Sequence, residues 1–212
     1  NSEQPNASQR PIWLVGLNDA QEQAVTTLSG PLLVLSGAGT GKTRVLTSRL
    51  AQLVASRTAM PWNILAVTFT NKAAREMKAR VADLVGPMSE QVMLGTFHSL
   101  AARMLRRHAE LVGLKPDFTI LDTDDQIRLI KQLMDAEGLD IKRWPPRGLM
   151  VQFSSWKDRG LSPEKIGVAD AGDIADGKAL KLYQLYQSRL RTLNAADFGD
   201  LLLHMLTIFT NH

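Results

Sequence analysis

Apolar positions along the first half of the chain follow two rhythms that take turns. Residues 32–35 (LLVL), 64–68 (ILAVT) and 92–94 (VML) are short continuous apolar runs bounded by turn residues, the pattern of strands buried on both faces. After each run, apolar residues recur at spacings of three and four, predicting helices over 40–54, 71–85 and 98–111. In the second of these, Met77, Val81, Leu84 and Val85 share one face. Strand and helix in strict alternation imply crossover connections, and hence a parallel sheet flanked by helices, an α/β fold. Beyond about Gly113 the alternation stops. Apart from a short extended piece at 118–121, the rest predicts helices separated by the breaks KRWPPRG (142–148), RGLSP (159–163) and ADAGDIADG (169–177). Asp122 stands where a helix N-cap belongs, ahead of a face made by Ile127, Ile130, Leu133 and Met134. The last helix is expected to bury Phe198, Leu201, Leu202, Met205, Leu206 and Phe209. The expected organisation is a flexible leader over 1–16, an α/β core over 17–112, an all-helical insert over 113–193 and a helix over 194–212 that returns to the core.

Composition narrows the function classes. The chain has 212 residues, 44% of them hydrophobic, enough for a real core and a sizeable insert. It has no cysteine, which removes disulfides, thiolate zinc sites and cysteine nucleophiles and fits a reducing compartment. The opening NSEQPNASQRP has no apolar targeting segment, and no apolar run reaches membrane-spanning length, so a cytoplasmic location with no membrane partner is expected. The net charge of +4 is unevenly placed: residues 1–108 carry 12 Lys/Arg against 6 Asp/Glu, the remainder 13 against 15. The basic half suits a polyanionic partner and equally suits a solvated surface.

That basic half contains LLVLSGAGTGKTRVL (32–46), an apolar run feeding three glycines and closing on Gly41-Lys42-Thr43 at a predicted helix start. This is the arrangement of a phosphate-binding P-loop. Glycines allow successive backbone N–H groups to converge on phosphate oxygens, and the positive end of the helix dipole reinforces them. The cradle would comprise Ser36, Gly37, Ala38, Gly39, Thr40, Gly41, Lys42 and Thr43, with Lys42 reaching the β- and γ-phosphates of ATP and the Thr43 hydroxyl on Mg²⁺. Ser36 stands where the common pattern has its first glycine, and a small residue still permits the turn. Hydrolysis also requires a carboxylate at the end of a neighbouring strand; Asp122 is the only candidate and is better explained as a helix cap.

Around the loop stand LNDAQEQAV (17–25), VTFTNKAAREM (67–77) and GTFHSLAARMLRRH (95–108), followed by ILDTDDQIRLIKQL (120–133), KRWPPRG and AADFGDLLL (195–203). In this order and spacing they resemble the UvrD/PcrA/Rep group of superfamily 1 DNA helicases, over nearly the whole chain after the leader, and KRWPPRG resembles the UvrD branch of that group. The resemblance implies a RecA-like P-loop sheet, with residues 113–193 as the group's helical 1B insert, which contributes to duplex handling. It implies that Gln21 hydrogen-bonds the adenine edge, as the paired donor and acceptor of a carboxamide permit, and that Arg44 lies near the base or sugar. It also implies that Phe69, Thr70 and Asn71, with Thr96, Phe97 and His98, meet single-stranded DNA at the strand ends and near duplex junctions. Taken alone, Phe69 suits a core aromatic, His98 a structural histidine, and Arg103, Arg106 and Arg107 a solvated face as well as a phosphate-binding one.

Members of that group continue into a strand bearing an Asp-Glu pair and then a second RecA-like domain that supplies arginines to the γ-phosphate. The resemblance therefore implies that these 212 residues bind nucleotide and hydrolyse it at or near background. Three other readings stay open: the helicase part of a RecB/AddA-type helicase-nuclease, a P-loop enzyme of another class such as a small-molecule kinase, and a DNA-binding module with a vestigial loop.

Overall fold

A computed structural model of the chain describes residues 10–37 and 39–212. The first nine residues of the expected leader, and Ala38 of the expected cradle, lie outside the described residues. The chain divides into two compact units, 1–97 and 98–212.

In the first unit, helix α1 (Asp19–Thr26) starts on a reciprocal cap: the Asn18 side chain accepts from the Gln21 N–H while the Gln21 side chain accepts from the Asn18 N–H. Helix α2 (Lys42–Ala55) follows the glycine loop, and the two helices are clamped together. Leu14, Ala24, Val25 and Val45 form one buried cluster, and the Arg49 guanidinium donates to the Ala24 carbonyl at 2.7 Å and to that of Thr27. Strand β1 (Leu65–Thr68), helix α3 (Asn71–Val85) and strand β2 (Met93–Thr96) complete this unit. The strands pair in parallel, Leu65 with Met93 through Thr68 with Thr96, and Leu50, Val54, Ala66, Met77, Val81 and Val92 bury against one another across α2, the sheet and α3. The parallel pairing and the buried Met77 and Val81 agree with the sequence pattern.

Residues 32–35 do not. They form no strand, and Leu33 and Leu35 are more than four-fifths exposed. A continuous apolar run describes a strand with neighbours on both sides and cover on both faces. Here β1 and β2 pair with each other, and no described strand pairs with 32–35.

The second unit is mainly helical. Helix α4 (Phe97–Arg107) begins at the unit boundary, shorter than the sequence suggests, and a 3-10 turn (Ala109–Val112) follows. Strand β3 (Thr119–Ile120) pairs in parallel with strand β4 (Ala195–Ala196), a pairing that joins segments far apart in sequence. Between them run α5 (Thr123–Ala136), α6 (Pro146–Asp158), α7 (Val168–Ala171) and α8 (Ala179–Thr192), and α9 (Phe198–Asn211) closes the chain. Asp122 caps α5 by accepting from the Asp125 N–H, as its position predicts. Ile130, Met134, Phe153, Trp156, Tyr183 and Tyr186 lead a large apolar core. The last helix differs from expectation: Leu201 and Met205 are buried with Ile208, but Phe198, Leu202, Leu206 and Phe209 form a second, exposed stripe. The helix is apolar over more than one face, so periodicity could not say which stripe is covered.

One polar cluster sits inside this unit. The Lys157 ammonium lies 2.6 Å from an Asp197 oxygen and 2.7 Å from an Asp200 oxygen, all three side chains being at most 6% exposed. Tyr186 donates to Asp197 at 3.0 Å and Gln187 to Asp200 at 2.7 Å, while each aspartate also accepts from the other's backbone N–H as the cap of α9. A Cβ on Gly199 would lie 2.9 Å from Lys157 Cδ, so only glycine leaves room for the lysine stem. Burial and the Asp200 charge push the Asp197 carboxyl up. Burial also opposes ionisation of Asp200, but the Lys157 charge prevails and holds it below the usual carboxylate range.

One turn further along α9, His204 faces a cavity of about 150 Å³ that Ser162, Glu164, Gln187 and Arg191 also line. Burial holds its imidazole below 6.5, opposed by the charges of Asp200 and Asp197 and assisted by Lys157 and Arg191. A histidine whose folded pKa is depressed contributes stability that is complete above its unfolded pKa and lost as pH falls below about 6.5. Urea midpoints measured between pH 7.5 and 5.5 should therefore fall for the native chain, and fall less for His204→Gln. An equal fall in both would contradict a neutral, half-buried His204.

Candidate functional site

The glycine loop is shaped by four contacts from within the first unit. The Thr40 hydroxyl donates to the Gly37 carbonyl at 2.7 Å and touches the Ser36 hydroxyl. The Lys42 ammonium reaches back to the Ser36 carbonyl at 3.2 Å. The Gln21 carboxamide donates to the Thr40 carbonyl at 3.1 Å. Gly39 and Gly41 have φ of +74° and +86°, values that L side chains rarely adopt, so the tight entry into α2 depends on them. Together Asn18, Gln21, Ser36, Gly37, Thr40 and Lys42 line the polar side of a cavity of about 280 Å³, with Val34, Leu35 and Val45 on its apolar side.

The cavity has the chemistry of an anion site: an ammonium, the uncapped N-terminus of a fourteen-residue helix, and no Asp or Glu among its lining residues. Thr43 is exposed in the first turn of that helix, where its hydroxyl is available to a metal carried in by a phosphate. The residues present thus fit a triphosphate with Mg²⁺, while among the described residues no group of three His, Asp or Glu could hold a metal unaided. Arg44 departs from the others. It donates to the Val15 carbonyl at 2.5 Å and lines a different cavity, of about 300 Å³, with Trp13 and Arg80.

The second set of predicted residues follows from the register of the sheet. Thr68 and Thr96 are direct partners at the carboxyl ends of β1 and β2, so the residues one step beyond emerge side by side. These are Phe69 and Phe97, with ring centroids 5.6 Å apart and a tilt of 47°. Phe69 is 91% exposed and Phe97 49%, which excludes the core reading for Phe69. Beside them Thr70 caps α3 by accepting from the Ala73 N–H at 3.1 Å. Asn71 opens that helix with no acidic residue in its first turn and with exposed Lys72 and Arg75 following. Thr96 is buried at its strand end.

His98 and the arginines of α4 belong to the second unit. The His98 ring meets Phe198 edge-on at 5.9 Å. Arg106 donates to the Pro116 and Phe118 carbonyls at 2.8 and 3.1 Å and lies over the Phe118 ring, so it holds the fold together and is not a free phosphate ligand. Arg103 and Arg107 are exposed. Sequence reasoning missed the contact between Gln21 and the loop backbone, because a hydrogen bond to a main-chain carbonyl leaves no signature in residue type.

The strand ends thus present an aromatic pair, and helix α2 opens on a glycine loop that closes with Lys42-Thr43. The chain belongs to the UvrD/REP helicase N-terminal domain family, whose sequence profile matches residues 17–212. It is 44% identical over 196 residues to the ATP-dependent DNA helicase PcrA of Bacillus subtilis, an alignment covering 92% of this chain and 26% of the relative. DNA helicase II of Escherichia coli is 45% identical over 198 residues, covering 93% of this chain and 27% of the relative. A probable DNA helicase II homolog of Rickettsia conorii is 46% identical over 195 residues, covering 91% and 30%. The chain is about as similar to PcrA as to DNA helicase II, and it spans between a quarter and a third of these relatives' lengths. Among the described residues no helix is long and apolar enough to cross a membrane.

Proposed function

We propose that this chain is the N-terminal ATP- and single-stranded-DNA-binding part of a cytoplasmic ATP-dependent DNA helicase, with residues 17–112 contributing to a RecA-like core and 113–193 forming a helical 1B-like insert. Lys42 and the amides entering α2 hold the phosphates, Thr43 receives Mg²⁺, and Gln21 stands beside the base. Phe69 and Phe97 present faces on which bases stack, while Thr70, Asn71 and the N-terminus of α3 take backbone phosphate. Among the described residues no carboxylate lines the loop cavity to activate water, which supports binding with turnover at or near background in these residues alone. In the whole protein, a second RecA-like domain supplies charge at the γ-phosphate and converts hydrolysis into movement along the strand.

The observation that carries this reading is the exposed Phe69 and Phe97 pair at register-matched strand ends. A small-molecule kinase would use the glycine loop equally well but gives no reason for two solvent-facing rings there. Titration of fluorescein-labelled oligo(dT) should show binding that weakens steeply as salt rises from 50 to 200 mM. Phe69→Ala should weaken it roughly five- to a hundredfold, the usual cost of losing one stacked base, while leaving ATP binding in place. No binding at low salt, or a Phe69→Ala variant with unchanged affinity, would sink the DNA-binding reading.

A further inference from the structure

The Gln21 carboxamide is divided between two tasks. Its oxygen accepts from the Asn18 N–H at 3.0 Å, closing the cap of α1. Its nitrogen donates to the Thr40 carbonyl at 3.1 Å, inside the glycine loop. The peptide joining Thr40 to Gly41 is planar and trans, so its C=O and N–H point in opposite directions. Holding the Thr40 oxygen toward Gln21 therefore fixes the Gly41 N–H facing away from it. This plane turns about the φ of Gly41, which is +86° and which glycine varies more freely than any other residue. Gly41 also carries no Cβ, and one placed there would lie 3.2 Å from the Gln21 nitrogen. Among the described residues, the other bonds within the loop, from Thr40 to Gly37 and to the Ser36 hydroxyl and from Lys42 to the Ser36 carbonyl, leave the Thr40–Gly41 plane to Gln21.

We propose that Gln21 is a positioning residue for the phosphate cradle: its bond to the Thr40 carbonyl sets the peptide plane that aims the Gly41 amide, so it governs binding of a polyphosphate even when no base is attached. The proposal rests on the nucleotide-binding reading above and extends it. A side chain standing beside the base then acts on the phosphates too, through one main-chain oxygen. Helix α1 is rigidly clamped to α2 by Val25, Val45 and Arg49, so it offers a fixed point from which the loop is held.

The test uses the full 212-residue chain and two probes, magnesium tripolyphosphate and magnesium ATP, titrated by calorimetry. Gln21→Ala should weaken tripolyphosphate binding roughly three- to tenfold, the effect of one neutral hydrogen bond. It should weaken ATP binding by at least that factor, with hydrogen exchange of the α1 amides unchanged. Gln21→Glu keeps the acceptor that caps α1 but has no hydrogen to give Thr40, and it should be weakened as well. Tripolyphosphate affinity unaltered by Gln21→Ala, with ATP alone affected, would show a base reader only and overturn the proposal. So would native-like tripolyphosphate binding by Gln21→Glu, or a loss in Gln21→Ala accompanied by unprotected α1 amides. Failure of the native chain to bind either probe is a separate result, which overturns the nucleotide reading itself and this inference with it.

Discussion

Replacing Lys42 with alanine should weaken binding of magnesium ATP roughly ten- to a hundredfold, read as a shifted or vanished calorimetric isotherm. Hydrogen bonds to charged partners contribute about 1.5–3 kcal/mol, and about 1.4 kcal/mol corresponds to a factor of ten. Among the described residues Lys42 is the only cationic side chain lining the loop cavity. It is exposed and reaches the Ser36 carbonyl, a bond that exchanges for phosphate at little cost. Removing it should leave the fold intact, because it contributes to no buried cluster. Lys72→Ala, outside the cavity, serves as the control and should bind ATP normally. An unchanged isotherm in Lys42→Ala would favour a vestigial loop, and with it the reading of this chain as a DNA-binding module alone.

The largest effect on stability is expected at a residue far from nucleotide. Lys157→Met should destabilise the second unit by about 3–5 kcal/mol, because it strands two buried carboxylates without their cation. Tyr186 and Gln187 donate hydrogen bonds to them but carry no charge. The variant's deficit should shrink as pH is lowered and the stranded carboxyls take up protons instead of remaining charged in a dry interior. Removing one member of an exposed pair sets the contrast. Lys78→Ala deletes an ion pair with Glu90 in which both side chains are at least half exposed, and should cost no more than about 1 kcal/mol. Hydrogen exchange across urea reads both, at the α6, α8 and α9 amides for Lys157→Met and at the α3 amides for Lys78→Ala. Near-equal effects of the two substitutions would contradict the buried triad.

Local signals carried most of the helices. Asp122, Thr70 and Asn18 cap the helices they precede because capping depends on residues three apart, and the parallel pairing of β1 with β2 follows from their separation by a helix. What required long-range partners was not legible. Residues 32–35 read as a buried strand from their side chains, yet whether a strand forms depends on neighbours that sequence pattern does not name. The stripe at Phe198, Leu202, Leu206 and Phe209 has the same periodicity as the buried one beside it. Lys157 sits in WKDRG, which reads as a solvated helix end, and only the meeting of α6 with α9 buries it. Of the candidate site, the glycine loop, Gln21 and the Phe69 and Phe97 pair come together in the first unit. Arg44 turns away to Val15, and Arg106 is absorbed by packing against Phe118, because long flexible side chains take whichever carbonyl the fold brings near.

Nothing tests the central claim more directly than a crystal structure of the chain grown with Mg²⁺ and a nonhydrolysable ATP analogue. The expected density places the β- and γ-phosphates within hydrogen-bonding distance of the Lys42 ammonium and the amides leading into α2, with the metal on the Thr43 hydroxyl and the base beside Gln21. An analogue seated anywhere else, or a loop left empty at saturating concentration, would contradict it.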